Sequence, residues 1–454
     1  MRLVARLGST LAVVLGVAQG GCSLVANLGD PKGLEPTGDS GAVLAEAGVD
    51  PDASDADDAG DDGDSGANSS LAALTVAVGA RHACAVVSDG TSSPENGTIR
   101  CWGANDQGQL GSDPAVVPSS STPLEVAGRG TGAPPQSKAK TLSLAGGYSC
   151  TTTQDTFLLC WGNVTEASGV TRNPPTPAYE PSPMYFYVRQ LAQLASASMT
   201  AEGGCCTLQD TSLVCWGGDL APSAPDGGVT LDGGVFVADR FETVSVGRDH
   251  ACGIAATTST SSRDVECWGA NDHGQTGLPF SPLVSHPNHL GLGANGTLLQ
   301  VATGGDTSCA LFEGGALYCW GANDHGQLGT GTVGVDSQVP VAVTFPGSYA
   351  PIAVALGDTH ACAVLSDRSV WCWGDDSAAQ LGDGTGGTST TTPSKVQRIP
   401  GHFLTGVTSI AAGGSTTCAT LLGDPNVWCW GANDSGQAGQ PAGAPVPYAT
   451  RIPW

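Results

Sequence analysis

Cys319-Trp320-Gly321-Ala322-Asn323-Asp324-His325-Gly326-Gln327-Leu328-Gly329 is the fullest form of a phrase that the chain repeats. Its opening Cys-Trp-Gly recurs at Cys101, Cys160, Cys215, Cys267, Cys319, Cys372 and Cys429, in steps of 59, 55, 52, 52, 53 and 57 residues. Seven near-equal units of this length, rich in short apolar runs, predict propeller blades. A chain of 454 residues could hold three ordinary domains, but seven copies of one phrase favour a single closed domain instead. The composition agrees: 66 Gly, 29 Pro and 13% charged residues suit many short strands and turns, with almost no helix.

One unit, read outward from the phrase, holds four apolar segments. Cys309–Phe312 and Ala316–Trp320 flank the turn Glu313-Gly-Gly315 as a hairpin; Val339–Phe345 and Ile352–Leu356 follow before His360-Ala-Cys362 opens the next unit. Four strands match one blade. Within the loop, glycines supply positive backbone angles and Asn can bond its own backbone, so Asn105, Asn271, Asn323 and Asn433 are expected to lock a turn between blades rather than to line a ligand site. Trp102, Trp161, Trp216, Trp268, Trp320, Trp373 and Trp430 recur once per unit, which favours packing between blades over a binding platform.

Every Cys-Trp-Gly cysteine has an earlier partner. The pairs are Cys84 with Cys101, Cys150 with Cys160, Cys205 with Cys215, Cys252 with Cys267, Cys309 with Cys319, Cys362 with Cys372, and Cys418 with Cys429. Four pairs are ten residues apart, a spacing that sets the two side chains opposite each other on one face of a hairpin, within reach of a disulfide. Seven such bridges fit an oxidising location, each worth on the order of 2 to 3 kcal/mol in the loop-entropy model. Zinc is the weaker reading, because the pairs are one per unit with wide spacers. Cys206 is left over; its counterparts Ala85, Thr151, Gly253, Ala310, Ala363 and Ala419 are small, so it is expected to be a buried small residue.

The copies resemble the repeat of the regulator of chromosome condensation family, Trp-Gly-x-Asn-x-x-Gly-Gln-Leu-Gly followed later by Gly-x-x-His-x-x-Ala-Leu. The first half is carried by Trp102–Gly111, Trp268–Gly277, Trp320–Gly329 and Trp430–Gly439. The second is carried by Gly79–Val86, Gly247–Ile254, Gly357–Val364 and, without His, Gly304–Leu311. The resemblance spans residues 71 to 454 and implies an all-β, seven-bladed β-propeller. Copies 2, 3 and 6 depart from the phrase at Gly162-Asn-Val-Thr-Glu, Gly217-Gly-Asp-Leu-Ala and Gly374-Asp-Asp-Ser-Ala. Pro-rich loops at 173–183 and 221–228 add irregularity where binding usually resides. The first unit lacks a recognisable strand after its Gln-Leu-Gly, and Pro447–Pro453 is similar to Pro393–Pro400, so the last strand is expected to complete blade 1 and close the ring.

The N-terminal residues have a different character. Residues 1–22 combine Arg2 and Arg6 with an apolar run from Leu11 to Ala18, the grammar of a bacterial export signal. Val17-Ala-Gln-Gly-Gly-Cys22 resembles a lipoprotein signal in which Cys22 is lipidated, although Gln19 stands where Leu is preferred. Plain secretion is the second reading; an uncleaved span is disfavoured because the run is short of the roughly 20 residues needed. Residues 23–70 hold twelve acids, from Asp30 to Asp64, against Lys32 alone, and are expected to form a disordered acidic linker rather than a calcium loop.

Net charge is −25 overall and −16 over residues 71–454 (14 bases, 30 acids), which opposes nucleic acid and anionic membrane surfaces as partners. Membrane contact is then expected through the anchor alone. Among family members are guanine-nucleotide exchange factors, β-lactamase inhibitors and a plant light sensor. Gly79-Ala-Arg-His-Ala83 and Gly247-Arg-Asp-His-Ala251 lack the Trp of the sensor's Gly-Trp-Arg-His-Thr. The resemblance implies protein recognition, with a glycan as the alternative ligand. His82, His250 and His360 recur at one place in the unit and are expected to be buried turn residues; His273 and His325 vary with Gln107 and Ser435, as in a solvent-facing loop. His286, His289 and His402 share no metal spacing. The expectation is therefore an exported, monomeric binding scaffold at the outer membrane or cell surface, otherwise periplasmic or secreted. No cofactor, metal or catalytic residue is assigned, and a propeller-face hydrolase is the remote rival.

Overall fold

The computed structural model describes residues 72–88, 97–126, 139–153, 158–163, 180–186, 194–200, 203–217, 220, 230–231, 234–256 and 263–454. The expected signal segment with Cys22, the acidic segment 23–70 and most of the loops 173–183 and 221–228 lie outside the described residues. Seven antiparallel four-stranded blades make a β-propeller. Blade 1 runs Ala73–Val78, His82–Ser88, Gly97–Ala104, Ser119–Glu125, and blade 2 runs from Ala139–Leu144 to Glu180–Phe186. Blades 5, 6 and 7 begin at Leu298–Gly304, Pro351–Leu356 and Val407–Gly413. Blades 3 and 4 share one long strand, Gly234–Val246: its first half is the outer strand of blade 3 and its second half the inner strand of blade 4.

Burial explains why the inner strands read as continuous apolar runs. In blade 5 the second strand, Thr307–Phe312, is buried along its whole length because both of its faces pack on neighbouring blades, whereas the outer strand Ser337–Ala342 is half-exposed. All seven cysteine pairs fall directly opposite each other in the register of the second and third strands, with Cα–Cα distances of 4.0–4.1 Å and sulfurs at bonding distance. Each pair faces the next blade. Cys309 and Cys319 pack with Ala361, Ala363 and Trp373; Cys362 and Cys372 pack with Ala419 and Trp430. Cys206 takes the small residue's place against Cys150, Cys160 and Trp216, fully buried, and burial pushes its thiol well above the usual range.

One expectation is corrected. The last strand, Val446–Ile452, pairs with Val427–Gly431 and completes blade 7; blade 1 is completed by its own Ser119–Glu125. That strand reads Ser-Ser-Ser-Thr-Pro-Leu-Glu, and only Leu124 packs on the core, so no apolar alternation betrays it. The C-terminal strand still serves the closure, through packing rather than pairing. Ile452 joins the cluster around Trp102, and Trp454 meets the Trp102 ring edge-on at 6.3 Å.

Blade 6 keeps the loop shape with altered residues. Ala379 stands where the phrase has Gly and holds φ 59, while its counterparts Gly326 and Gly436 sit at φ 80 and 84. An L side chain in that region costs roughly 1–2 kcal/mol. Ala379→Gly is expected to raise the unfolding free energy by about 0.5–1 kcal/mol, after the extra chain entropy of glycine, and Gly326→Ala to lower it; denaturant midpoints check both.

Candidate interaction face

The turn between first and second strands and the loop after the Cys-Trp-Gly strand lie together on one face of the ring. Ala104 N donates to Arg81 O, Ala270 N to Asp249 O, Ala322 N to Asp306 O and Asp375 N to Thr359 O, at 2.8–3.0 Å. This contact requires a glycine at the bend. Gly321 holds φ 102, and a Cβ there would run into the carbonyl oxygen of Asp306.

Inside the loop the repeated polar residues are consumed by the backbone. Asn323 Oδ1 accepts from Leu328 N and its Nδ2 donates to Thr332 O; Asn105, Asn271 and Asn433 do the same in their blades, and Asp376 substitutes in blade 6 by accepting from Leu381 N. Gln327 Oε1 accepts from His325 N, and Gln109, Gln275, Gln380 and Gln437 repeat the bond. These residues lock turns, as expected from the sequence.

The glutamine carbonyl then reaches the next blade. Gln275 O accepts from Trp320 Nε1 at 2.9 Å and from Ser308 Oγ at 2.8 Å; Gln109 O accepts from Trp161 Nε1 and Ser149 Oγ, both at 2.9 Å. Trp373, Trp430 and Trp102 bond Gln327 O, Gln380 O and Gln437 O, the last across the closure between blades 7 and 1. Trp268 uses Leu220 O, the equivalent place in the shortened blade 3 phrase.

The three recurrent histidines join this node. Nε2 lies 2.7 Å from Ser149 Oγ in His82, 2.8 Å from Ser308 Oγ in His250 and 2.8 Å from Thr417 Oγ1 in His360. Ser149 and Ser308 donate onward to a carbonyl, so they accept from the imidazole; the proton is on Nε2, and Nδ1 of each ring has no hydrogen-bond partner. A histidine at this distance from a serine has the spacing of a base and nucleophile. The chemistry fails on three counts: the groups are buried, no carboxylate orients Nδ1, and burial lowers His82 and His250 to about 3 and His360 to about 4.

The exposed charge of this face comes from the Asp of the phrase, Asp106, Asp272, Asp324 and Asp434, and from residues that vary between blades. Arg81 pairs with Asp106 at 3.1 Å and donates to Ser435 Oγ of blade 7; Arg248 pairs with Asp306 of blade 5 at 2.9 Å. Beside them burial raises the Asp358 carboxyl, with Arg248 opposing and Asp306 reinforcing the shift. His273 Nδ1 lies 2.7 Å from Asp336 Oδ2, a hydrogen bond that raises its pKa, and His325 lies 3.7 Å from Asp375. Burial pulls Asp375 upward, but hydrogen bonds from Ser377 and Gln380 and the nearby His325 outweigh it and hold the carboxyl low. Sequence reasoning placed His273 and His325 at the surface correctly but missed their carboxylate partners, which lie on the following blade. His286 and His289 lie in the outer strand Ser281–His289, with His289 Nδ1 3.1 Å from Glu266. Among the described residues no group of His, Cys, Asp and Glu is arranged to hold a metal.

Comparison with known proteins agrees with this geometry. Residues 314–364 and 367–420 match the regulator of chromosome condensation (RCC1) repeat, and a second model of the same repeat matches 299–327, 352–380 and 407–437. The fold is shared with yeast RCC1 (Prp20), TM-score 0.66 at 18% identity over 80% of this chain and 84% of that one. It is shared also with human WBSCR16, TM-score 0.66 at 18% identity over 79% and 94%. In sequence the chain is 28% identical to the ultraviolet-B receptor UVR8 of Arabidopsis thaliana over 44% of this chain and 43% of the receptor. It is 30% identical to the probable E3 ubiquitin-protein ligase HERC4 of Homo sapiens over 42% of this chain and 18% of the ligase. The matched region thus spans less than half the length of either relative. The molecule is a seven-bladed propeller with one cysteine pair in hairpin register in each blade. Within residues 299–437 the chain carries regulator of chromosome condensation (RCC1) repeats, and its fold is that of an RCC1-like propeller.

The histidines give the ring a pH dependence of definite sign. The unfolded chain takes up protons at these residues below about 6.5, and the folded ring refuses them until about 3 to 4. Their contribution is complete above pH 6.5 and is lost as pH falls, by on the order of 1.4 kcal/mol per pH unit for each histidine. Raised Asp358 and Asp376 oppose part of this loss. Thermal midpoints measured from pH 7.5 to 4 should fall with acid, and His360→Gln should start lower at pH 7.5 but show a shallower slope.

Proposed function

We propose that this protein is an exported, lipid-anchored propeller that serves as a non-catalytic protein-binding scaffold at the cell envelope. The observation that carries the reading is the seven cysteine pairs, one per blade and each in hairpin register, which a reducing compartment would leave as fourteen thiols. The export grammar of residues 1–22, Cys22 as acceptor of the lipid, and the acidic run to Asp64 as spacer support it. Binding rather than catalysis is favoured because the repeated His, Ser, Trp and Gln residues are occupied in holding blades together. Arg81 and Arg248, which are exposed, and Asp306, Asp358, His273 and His325, which are partly exposed, differ from blade to blade, as a surface for one particular partner requires. Yeast Prp20p, which shares the fold at a TM-score of 0.64, has binding properties to Gsp1p and histones. A glycan surface remains the second reading.

Two measurements test this. Mass mapping of the protein from its native envelope, without reduction, should find a diacylglyceryl Cys22 and seven hairpin bridges; free thiols throughout would contradict export. Affinity capture from envelope fractions should return a protein partner whose binding is weakened at least tenfold by Arg248→Glu. Capture that returns no protein, with a clear glycan-array signal, would reverse the order of the two readings.

A further inference from the structure

Three tryptophans stand outside the repeated phrase: Trp371, Trp428 and Trp454. Trp428 lies in the seam between blades 6 and 7, half-buried against the cluster that holds Val396 and Leu404, and its Nε1 donates to Asp424 at 2.7 Å. Two arginines flank it. The Arg398 guanidinium carbon lies 5.9 Å from the centre of the indole, and Arg451 is its cross-strand partner, with Nε 3.7 Å from the same Asp424. Both are exposed. Lys395 Nζ adds a third cation 4.6 Å above Phe403, on the short hairpin of Gln397–Ile399 and His402–Phe403 that follows the outer strand of blade 6. The similarity between Pro393–Pro400 and Pro447–Pro453 thus has a spatial meaning. Each segment delivers its arginine to Trp428.

This seam is cationic in a propeller whose residues 71–454 sum to −16. Three cations meet two neighbouring carboxylates. Asp424 is engaged by Trp428 and Arg451, and Asp383 accepts from the Ser394 hydroxyl while its carbonyl accepts from Gln397. A guanidinium stacked on an indole keeps its edge N–H donors directed outward, which suits carboxylates. The chain itself delivers carboxylates to this place. Ala73 N donates to Pro425 O at 2.8 Å, beside Asp424, and Trp454 Nε1 bonds the same carbonyl at 2.7 Å, so the described propeller begins at the edge of the seam. Asp64, Asp62, Asp61, Asp58, Asp57 and Asp55 lie 8 to 17 residues upstream of Ala72. At up to roughly 3.5 Å per residue they reach every cation named.

We propose that the acidic segment around residues 55–64 of this same chain docks on the Arg398–Trp428–Arg451 seam. Covalent connection places the carboxylates there at an effective concentration in the millimolar range, so individually weak pairs become populated without a tight site. The contact covers the cationic aromatic patch, and an acidic ligand from outside must displace it. Because the pairs are exposed, the contact is screened by salt.

Hydrogen–deuterium exchange on the full chain tests the proposal, comparing it with a variant carrying Asp→Asn at positions 55, 57, 58, 61, 62 and 64, changes that lie outside the propeller and leave its core intact. At low salt, amides of 395–403 and 446–453 should exchange about five-fold more slowly in the parent than in the variant. The difference should vanish near 0.5 M NaCl and in the double variant Arg398→Gln, Arg451→Gln, whose thermal midpoint reports its folding. Equal exchange in parent and Asn variant at low salt overturns the proposal. So does protection that grows with protein concentration, which would assign the seam to a second copy.

Discussion

The Gln275 carbonyl accepts hydrogen bonds from Trp320 and Ser308 of the next blade, and the ring is this one relation repeated around an axis. A buried indole leaves an N–H that must find an acceptor, and the adjacent loop offers a carbonyl bent toward it by glycines and by Asn and Gln side chains that bond the loop's own backbone. The indole in turn covers the cysteine pair of the preceding blade, and the alanine at the facing position leaves room for the sulfurs. The imidazole of His250 closes the network from the other side through Ser308. Removing any member leaves a polar atom unpaired in a place water does not reach; where the phrase varies, another residue supplies the same bond in two blades, Asp376 for Asn and Leu220 for Gln, whereas the Trp216 indole is left without a partner among the described residues.

That constraint divides the candidate interaction face into two populations. The Trp, Asn and Gln of the phrase are turned inward and spent on the loops and seams, while its Asp stays exposed. Residues beside them, such as Arg81, Arg248, Asp358, His273 and His325, share backbone positions with neutral or oppositely charged residues on other blades, and where they pair across a seam, as Arg248 does with Asp306, the pairing is particular to that seam. A propeller of this kind offers a rigid platform with an editable surface, and the irregular phrases of blades 2 and 3 extend the same freedom to loop length.

The blade count, the strand content and the roles of Trp, Asn and the recurrent His were legible because each is a periodic requirement, and periodicity survives without coordinates. Cysteine pairing was legible for a related reason: a ten-residue spacing across a short hairpin leaves little geometric choice. The outer strand of blade 1 was not, since an edge strand with one apolar contact, Leu124, has no pattern to show. The shared Arg-Ile-Pro of the two late segments was visible but was assigned to ring closure. The convergence of its two arginines on Trp428 from two different blades depends on how blades 6 and 7 stack. The salt links of the face escaped for the same reason, because Arg248 meets Asp306 only when neighbouring blades are placed side by side.

The most direct test of the carbonyl-centred seam is a double-mutant cycle on Trp320→Phe and Ser308→Ala, followed by denaturant unfolding with the cysteine pairs intact. Either substitution alone leaves the Gln275 carbonyl one donor, whereas both together leave it buried and bare. The account predicts that the double variant loses about 1 kcal/mol or more beyond the sum of the single losses. Strict additivity, within about 0.3–0.5 kcal/mol, would contradict it.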